Sequence, residues 1–432
     1  MKASEIQRAN PKLSEKINLL DLTITLAFFL FALACNFSIS LTQIAGFTGM
    51  GVLVIRLHFT QSWNQLKLVL LWPFLGLSLA WTLSTLLSVD PTLSLLGFKK
   101  VGLCVIFLWV INAAPYISLR PFQKFLARFL KSHETIAPLT LVIYVLIAAT
   151  TVSALYGLTQ AFYHGVSIPT RKLIHGTLSH VFTFSAILMM VGLLAFARIL
   201  FRAKNRSWFW ISFLVISLCL ALTFTRMVWM GYFTGLTFLL FFKKRYFAIL
   251  PPALLIIMLI FGPDAIANRL MSMVNPENGS VALRLKMWEA SLDVIADYPW
   301  TGCGYNCLYL IHDQYPQHPV LQEFYYNLHN NLVQIAVDSG VLGLGAWLGI
   351  WISYFVILFK RFRKESPDSS PRWVVLGSSA AVLSFLFAGL FETNFYDSEV
   401  VMVLYFIMAL PFVSYKNIPS RPSDSPSSLT SR

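Results

Sequence analysis

The sequence carries few charged residues for its length. Only 12% of its 432 residues are charged, whereas a soluble domain averages about 25%. Acidic residues are fewer than basic ones, with 19 aspartates and glutamates against 33 lysines and arginines. Because 57% of the residues are hydrophobic, an ordinary soluble domain is excluded, and the chain is expected to lie in a membrane.

Strict alternation of apolar and polar residues, the pattern of a membrane β-barrel, is missing as well. Continuous apolar runs of roughly 20 residues recur instead, and each can cross about 30 Å of hydrocarbon. The pattern predicts an all-α, polytopic membrane bundle of about twelve transmembrane helices with one large periplasmic loop. The predicted spans cover residues 18–36, 41–59, 68–89, 94–117, 136–161, 179–200, 207–223, 227–242, 246–262, 331–359, 373–391 and 398–415.

The basic residues predict the orientation of this bundle. With the N-terminus inside, 25 of the 33 lysines and arginines lie on the inner side and 8 on the outer side. This bias follows the positive-inside rule, so the net charge of +14 does not require a nucleic-acid partner. The first apolar run lacks a small-residue cleavage site, and a second run follows closely. It is therefore expected to be a span and not a signal peptide.

The spans divide the chain into four parts. Residues 1–262 hold helices one to nine, and the polar, aromatic stretch 263–330 is predicted to form the large periplasmic loop with helices of its own. Residues 331–415 hold the last three helices, and the Ser/Pro-rich tail 416–432 is predicted to be disordered in the cytoplasm. Residues 118–135 alternate apolar and basic side chains at helical spacing, which predicts a helix on the inner membrane surface.

The loop contains the residues best suited to chemistry. His329 ends it, and a histidine titrates near neutral pH, so it can remove a proton from a hydroxyl group. Arg284 and Trp288 share one face of a predicted helix, residues 281–297, at the outer membrane surface. Arg226 lies at a tight turn between two spans. Guanidinium groups offer paired donors to phosphate oxygens, so both arginines are candidate phosphate contacts.

Each of these residues has a structural alternative. Arg226 could extend to the outer lipid headgroups. Arg284 could form a salt bridge with a carboxylate of its own helix, namely Glu289, Asp293 or Asp297. His329 could be a hydrogen-bonded structural residue at a helix N-terminus.

Further candidate ligand contacts lie among the outer residues. Basic side chains are normally depleted on this side, so they either bind an anion or have a structural partner. The candidates for substrate binding, besides Trp288, are Lys100, Arg171, Arg269 and Asn330. Asp338 and Glu392 are the acidic residues best placed to pair with the outer cations.

Cys303 and Cys307 admit more than one interpretation. With His312 and His318 they superficially resemble a zinc site, but the gap between the cysteine pair and the histidines is too short for a finger-type site. A disulfide between Cys303 and Cys307 is a second interpretation, because the exterior is oxidising. Gly302 and Gly304 indicate a tight turn. No metal and no cofactor is predicted, and the outer segments lack a P-loop, a nucleophile elbow and an Asp-x-Asp pair.

The order of the motifs resembles one known family. Over roughly residues 170–410, the chain is similar to the O-antigen ligase and polymerase superfamily. The motifs that carry the resemblance are Thr223-Phe-Thr-Arg226, Arg284-Leu-Lys-Met-Trp288, Tyr298-Pro299-Trp-Thr-Gly302-Cys-Gly304, His329-Asn330-Asn331 and Gly340-Val-Leu-Gly343. Thr225 stands where that family has a serine.

The resemblance implies an inverting, metal-independent glycosyltransferase in the bacterial inner membrane, with its active site facing the periplasm. The donor would be a glycan on undecaprenyl diphosphate, and the acceptor a sugar of the lipid A core in lipopolysaccharide synthesis. By position, His329 matches the family's catalytic histidine, and Arg226 and Arg284 match its essential arginines. The expected partners are these two substrates and membrane lipids, without nucleic acid.

Other functions remain open at this point. Within the superfamily, the protein could polymerise repeat units on the same carrier or glycosylate proteins, although a large soluble C-terminal domain is missing. A transporter of an anionic substrate is the alternative from another class. A transporter would place paired charges near the bilayer midplane and show two related halves. Here the charges gather at one face, and the two halves look unlike.

Overall fold

The computed structural model describes residues 11–119, 137–165, 173–202, 206–262, 264–274, 279–323, 326–364 and 372–413. Within these ranges all regular structure is helical and no residue forms a β-strand, which confirms the predicted all-α class. The predicted surface helix at 118–135 falls almost wholly outside the described residues. The predicted tail, 416–432, lies outside them as well.

Eighteen α-helices are defined within the described ranges. Those of the first half are α1 (Pro11–Ala34), α2 (Ile39–Thr60), α3 (Leu71–Leu86), α4 (Pro91–Leu95), α5 (Phe98–Gly102), α6 (Val105–Ala113), α7 (Pro138–His164), α8 (Val181–Phe201) and α9 (Arg206–Leu222). Those of the second half are α10 (Arg226–Lys243), α11 (Leu250–Phe261), α12 (Asp264–Val274), α13 (Gly279–Asp297), α14 (Leu308–Ile311), α15 (Pro319–Glu323), α16 (Asn331–Lys364), α17 (Arg372–Ala388) and α18 (Ser398–Ala409).

Helix covers all or part of each of the twelve predicted spans. Six helical stretches in the described part of the chain are long and apolar enough to cross a membrane. They are Lys12–Ala34, Ile39–Thr60, Pro91–Tyr116, Pro138–His164, Val181–Phe201 and Asn331–Arg363. The remaining apolar helices are shorter, so the total of twelve spans and the orientation stay predictions.

The fourth predicted span, residues 94–117, is not one continuous helix. It is divided among α4, α5 and α6. Asp90 accepts hydrogen bonds from the first turn of α4, and Pro91 occupies the first helical position. Gly97 separates α4 from α5, and a Cβ atom there would lie 2.6 Å from the Trp81 ring. The break therefore lets the chain pass close to α3.

Two helices, α8 and α18, form the centre of the bundle. Nearly all of their side chains are buried, which is typical of helices that are apolar on every face. Helix α17 packs along both α8 and α10. Gly231 and Gly235 allow the close approach of α10, because a Cβ at Gly231 would lie 2.6 Å from the Ser384 carbonyl oxygen. This packing fixes Arg226, the first residue of α10, relative to the end of α17.

The segment between α12 and α16, which we call the outer segment after its predicted location, has a hydrophobic core of its own. Its buried residues come from α13, α14, α15 and the adjoining loops, and it includes the first turns of α16. Helix α13 ends at Asp297, before Pro299, as the sequence predicts. The segment is therefore packed against α16 and not loosely attached to it.

A kink at Gly340 joins α16 to this outer segment. Gly340 has φ of 62°, which interrupts the helix. The backbone N–H groups of Cys303 and Gly304 donate to the carbonyls of Val337 and Asp338, both at 3.0 Å. The loop thus supplies donors to carbonyls near the kink, which would be costly to leave unpaired in a membrane.

Replacing Gly340 with alanine is expected to destabilise the protein by at least about 2 kcal/mol. A Cβ there would lie 2.3 Å from the Trp300 carbonyl carbon, and the positive φ is strained for alanine. Gly345 in the same helix has open space around its Cβ position, so Gly345→Ala is the matched control. Thermal unfolding in detergent measures both variants. Equal unfolding midpoints would contradict the proposed role of the kink.

Candidate functional site

His329 lies at the turn that leads into α16. Its backbone φ is 50°, a left-handed value that is uncommon for any residue other than glycine. Asn330 follows it and closes the N-terminus of α16, since its Oδ1 accepts from Leu332 N–H at 2.8 Å. The backbone strain and the cap together hold the imidazole at a fixed place at the end of the helix.

Two asparagines connect this turn to the segment between α17 and α18. Asn327 Oδ1 accepts from the His329 backbone N–H at 2.7 Å and from Thr393 Oγ1 at 2.5 Å. The Asn331 backbone N–H donates to the Gly389 carbonyl at 2.8 Å. A Cβ at Gly389 would lie 2.2 Å from Asn331 Nδ2, so this close approach requires glycine.

Glu392 lies between His329 and Arg284. Its Oε1 is 2.9 Å from His329 Nδ1, and its Oε2 is 3.8 Å from Arg284 Nη2. Burial alone would raise the pKa of Glu392. The hydrogen bond with His329, the electrostatic interactions with His329 and Arg284, and the Thr393 N–H outweigh burial, so the pKa of Glu392 lies below the ordinary value. The carboxylate is therefore ionised at neutral pH.

Replacing Glu392 with glutamine is expected to remove a pH-dependent part of the stability. The folded pKa is depressed below 4.5, so the ionised carboxylate stabilises the fold above that pH. This contribution is lost as the pH falls through the lower folded pKa. Near neutral pH, we expect wild type to unfold at a higher temperature than Glu392→Gln. The difference between the two unfolding temperatures should shrink as the pH falls. Thermal unfolding from about pH 8 to about pH 3 measures it, and a pH-independent difference would contradict the ionised role.

A cavity of about 380 Å³ opens beside Arg284. Arg226 and Trp288 line it as well, and most of the remaining lining is apolar. Trp288 is held in place by a hydrogen bond from Nε1 to the Leu328 carbonyl, 2.8 Å long. The apolar lining residues are Met227, Trp229, Met230, Phe233, Leu255, Ile256, Leu259, Leu270, Met271, Val281, Leu285 and Phe391. We call this space the apolar cavity.

Arg226 begins α10 directly after a strained turn, where Phe224 has φ of 50°. Its guanidinium donates to the Ser272 carbonyl at 2.7 Å and to the Ser272 hydroxyl at 2.9 Å. It also donates to the Ser280 hydroxyl at 2.5 Å. Arg226 thus holds α12 and the start of α13 against the apolar cavity.

A second cavity, of about 270 Å³, lies on another side of Glu392. It shares Met227 with the apolar cavity, but its walls are more polar. We call it the polar cavity. Its hydrogen-bonding side chains are His180, Asn327, Glu392, Thr393, Asn394, Tyr396 and Asp397. Arg284 therefore lines the apolar cavity and Glu392 lines the polar cavity, and His329 contacts Glu392 without lining either space.

Comparison with known proteins gives one family match. Residues 211–348 match the family model described as O-antigen ligase. The match supports the predicted resemblance to the O-antigen ligase superfamily. No curated protein matches the chain. The family comprises ligase- and polymerase-type enzymes that act on glycans, and its match includes Arg226, Arg284 and His329 but ends before Glu392.

The structure brings the predicted residues together only in part. Arg226, Arg284 and Trp288 line one cavity, and His329 is joined to Arg284 through Glu392. Lys100 is instead buried against α18, where its Nζ donates to the Tyr396 carbonyl and, at 2.9 Å, to the Ser398 hydroxyl.

Three other predicted residues have different outcomes. Asn330 is a helix cap in this structure. Arg269 lies on α12, and its side chain is outside the described part of the chain. Arg171 also lies outside the described residues. Their predicted contacts with substrate stay predictions.

The sequence pattern did not predict the residues that hold His329. Glu392 was expected only as a general partner for outer cations, and Asn327, Thr393 and Asn394 had no predicted role. A signal was present in Glu392-Thr393-Asn394, a polar run at the outer end of two apolar helices. In a membrane protein such a run commonly marks a functional site.

Cys303 and Cys307 form a disulfide, which settles the alternatives left by the sequence. Their Cα atoms are 5.6 Å apart, within the usual range for such a bond. Gly302 and Gly304 have φ of 67° and 105°, so the predicted tight turn is confirmed. The bonded sulfurs are no longer thiolates that could bind zinc.

Proposed function

We propose that the protein is an inverting glycosyltransferase. It transfers a glycan from undecaprenyl diphosphate to a sugar of the lipid A core. The observation that carries this proposal is the connected group Arg284–Glu392–His329, in which Arg284 lines the apolar cavity, Glu392 lines the polar cavity and His329 contacts Glu392. A lipid-linked sugar donor needs an apolar space, a cationic site and a base in that order, and these three features adjoin here.

The apolar cavity suits the first prenyl units of the carrier lipid. Arg226 and Arg284 at its wall would face the diphosphate. When the bond between the sugar and the diphosphate breaks, negative charge develops on the leaving phosphate oxygens. Guanidinium groups fixed in a water-poor site stabilise that charge without reorganisation.

The polar cavity suits the acceptor sugar. Glu392 accepts the Nδ1 proton of His329, which leaves the Nε2 lone pair available as a base. His329 Nε2 would take the proton from the acceptor hydroxyl, and that oxygen would bond to the anomeric carbon as the phosphate oxygen leaves. A single displacement of this kind inverts the anomeric centre. The ionised Glu392 would stabilise the imidazolium that forms.

Two observations support a periplasmic site in the inner membrane. The Cys303–Cys307 disulfide lies in the outer segment, and disulfides persist in oxidising compartments such as the periplasm. The excess of basic residues at the opposite end of the spans agrees with a cytoplasmic location for that end.

Reconstitution tests the proposal. The purified protein in liposomes is supplied with lipid-linked glycan, with and without lipid A core, and the products are separated by size. We expect glycan on lipid A core only when both substrates are present. Elongation of the carrier-linked glycan in both reactions would assign a polymerase instead. Movement of intact donor across the bilayer without a new glycosidic bond would support a transporter and overturn the proposal.

A further inference from the structure

A third cavity, of about 420 Å³, lies at the end of the bundle opposite to His329. Three helices form it, namely α10, α16 and α17. Its lining residues are Phe238, Phe242, Phe355, Val356, Leu358, Phe359, Lys360, Phe362, Val375, Leu376 and Ser379. We call it the inner groove. Its volume lies within the range of about 300–1,000 Å³ that is usual for small-ligand pockets.

The positions of its residues along the helices separate the inner groove from the candidate site. Phe242 follows Arg226 by a distance of about 24 Å along α10, at 1.5 Å per residue. Phe359 lies near the end of α16, whereas His329 precedes the start of that helix. Because the hydrocarbon layer is about 30 Å thick, we expect the inner groove to lie in the leaflet opposite to the candidate site.

The inner groove combines an apolar interior with a basic rim. Leu358 and Leu376 are buried at its floor, and Phe359 is 55% exposed at its mouth. The Arg363 guanidinium lies 4.5 Å from the centroid of the Phe359 ring. Lys360 lines the groove itself, and its side chain is exposed.

A second arginine stands on the other side of this rim. The Arg372 guanidinium, at the start of α17, lies 4.9 Å from the centroid of the Phe362 ring. Between positions 360 and 372 the sequence has five basic and two acidic residues. A basic pocket between helices, next to an apolar groove, is the arrangement that binds anionic lipid headgroups.

We propose that the inner groove binds one anionic phospholipid of the cytoplasmic leaflet. An acyl chain lies between α16 and α17 against the aromatic side chains. The phosphate is bound by Lys360, Arg363 and Arg372. This binding site is separate from the candidate catalytic site, because the inner groove shares no lining residue with the apolar or the polar cavity.

Native mass spectrometry of the full chain in detergent tests this proposal. The protein is titrated with phosphatidylglycerol and, separately, with phosphatidylcholine. We expect phosphatidylglycerol to bind with one-to-one stoichiometry at concentrations where phosphatidylcholine does not. The triple variant Lys360→Gln, Arg363→Gln and Arg372→Gln should bind about a hundredfold more weakly, since each basic residue near an anionic lipid contributes about fivefold.

Two further variants make the test specific. Val356→Trp fills the mouth of the groove and leaves its charges in place, so it should also abolish the one-to-one complex. The control changes Lys243, Lys244 and Arg245 to glutamine; it removes three positive charges at the same end of the bundle from residues that do not line the groove. Binding that is lost equally in the control, or kept in Val356→Trp, would overturn the proposal.

Discussion

Replacing His329 with alanine is expected to lower the rate of glycan transfer by a factor of about 10²–10⁴, the usual contribution of a general base. The reason is the hydrogen bond of 2.9 Å between His329 Nδ1 and Glu392 Oε1. It orients the ring and leaves Nε2 to accept the proton of the acceptor hydroxyl. Initial rates in liposomes, with saturating donor and acceptor, measure the loss.

The matched control for this variant is His318→Ala. His318 belongs to the same outer segment and also bonds a carboxylate, since its Nε2 lies 2.7 Å from Asp293 Oδ2. Its partner carboxylate, Asp293, lines neither cavity, whereas Glu392, the partner of His329, lines the polar cavity. We expect His318→Ala to keep its transfer rate. An active His329→Ala enzyme, or equal losses in the two variants, would remove the assignment of His329 as the base.

Replacing Arg284 with alanine is expected to lower the transfer rate about 10²–10³-fold, as loss of one fixed oxyanion donor does. Arg284 lines the apolar cavity and faces Glu392, so the truncation removes positive charge where the diphosphate would leave. Arg284→Lys should recover only part of the rate, because an ammonium group cannot donate in the paired geometry of guanidinium. Lys286→Ala, an exposed position on the same helix, is the control and should stay active.

The Arg284 experiment must separate catalysis from stability. Glu392 is 8% exposed. Loss of the Arg284 charge leaves the buried Glu392 carboxylate with less positive charge beside it, which destabilises the folded protein. The double variant Arg284→Ala and Glu392→Gln removes both charges. We expect it to unfold closer to the wild-type temperature than Arg284→Ala does, while transfer remains lost. Recovery of transfer in the double variant would show that Arg284 only neutralises Glu392.

The features that local sequence determines were predicted well. The helix that carries Arg284 and Trp288 follows from apolar periodicity and from Pro299 beyond its end, and the structure places it at Gly279–Asp297. The turn at Gly302 and Gly304 follows from glycine's access to positive φ. Such features depend on neighbouring residues and not on the rest of the chain.

The features that depend on tertiary packing were not predicted. Glu392 is 63 residues from His329 in sequence, and their contact forms only when the α17–α18 connection folds over the start of α16. The partners of Arg226 are serines of α12 and α13, which hydropathy does not distinguish from other polar residues. Averaged hydropathy also could not show that the span predicted at 94–117 divides into three helices.

The apolar cavity has a consequence for inhibitor discovery. Ile256 and Leu259 of α11 line it and are 57% and 36% exposed on the outer surface of the bundle. A compound shaped to fill this space would reach it by dissolving first in the bilayer, because hydrocarbon surrounds that side. Its potency would therefore follow the mole fraction of compound in lipid, and screening values obtained at different lipid or detergent loads should be compared only after correction for partitioning.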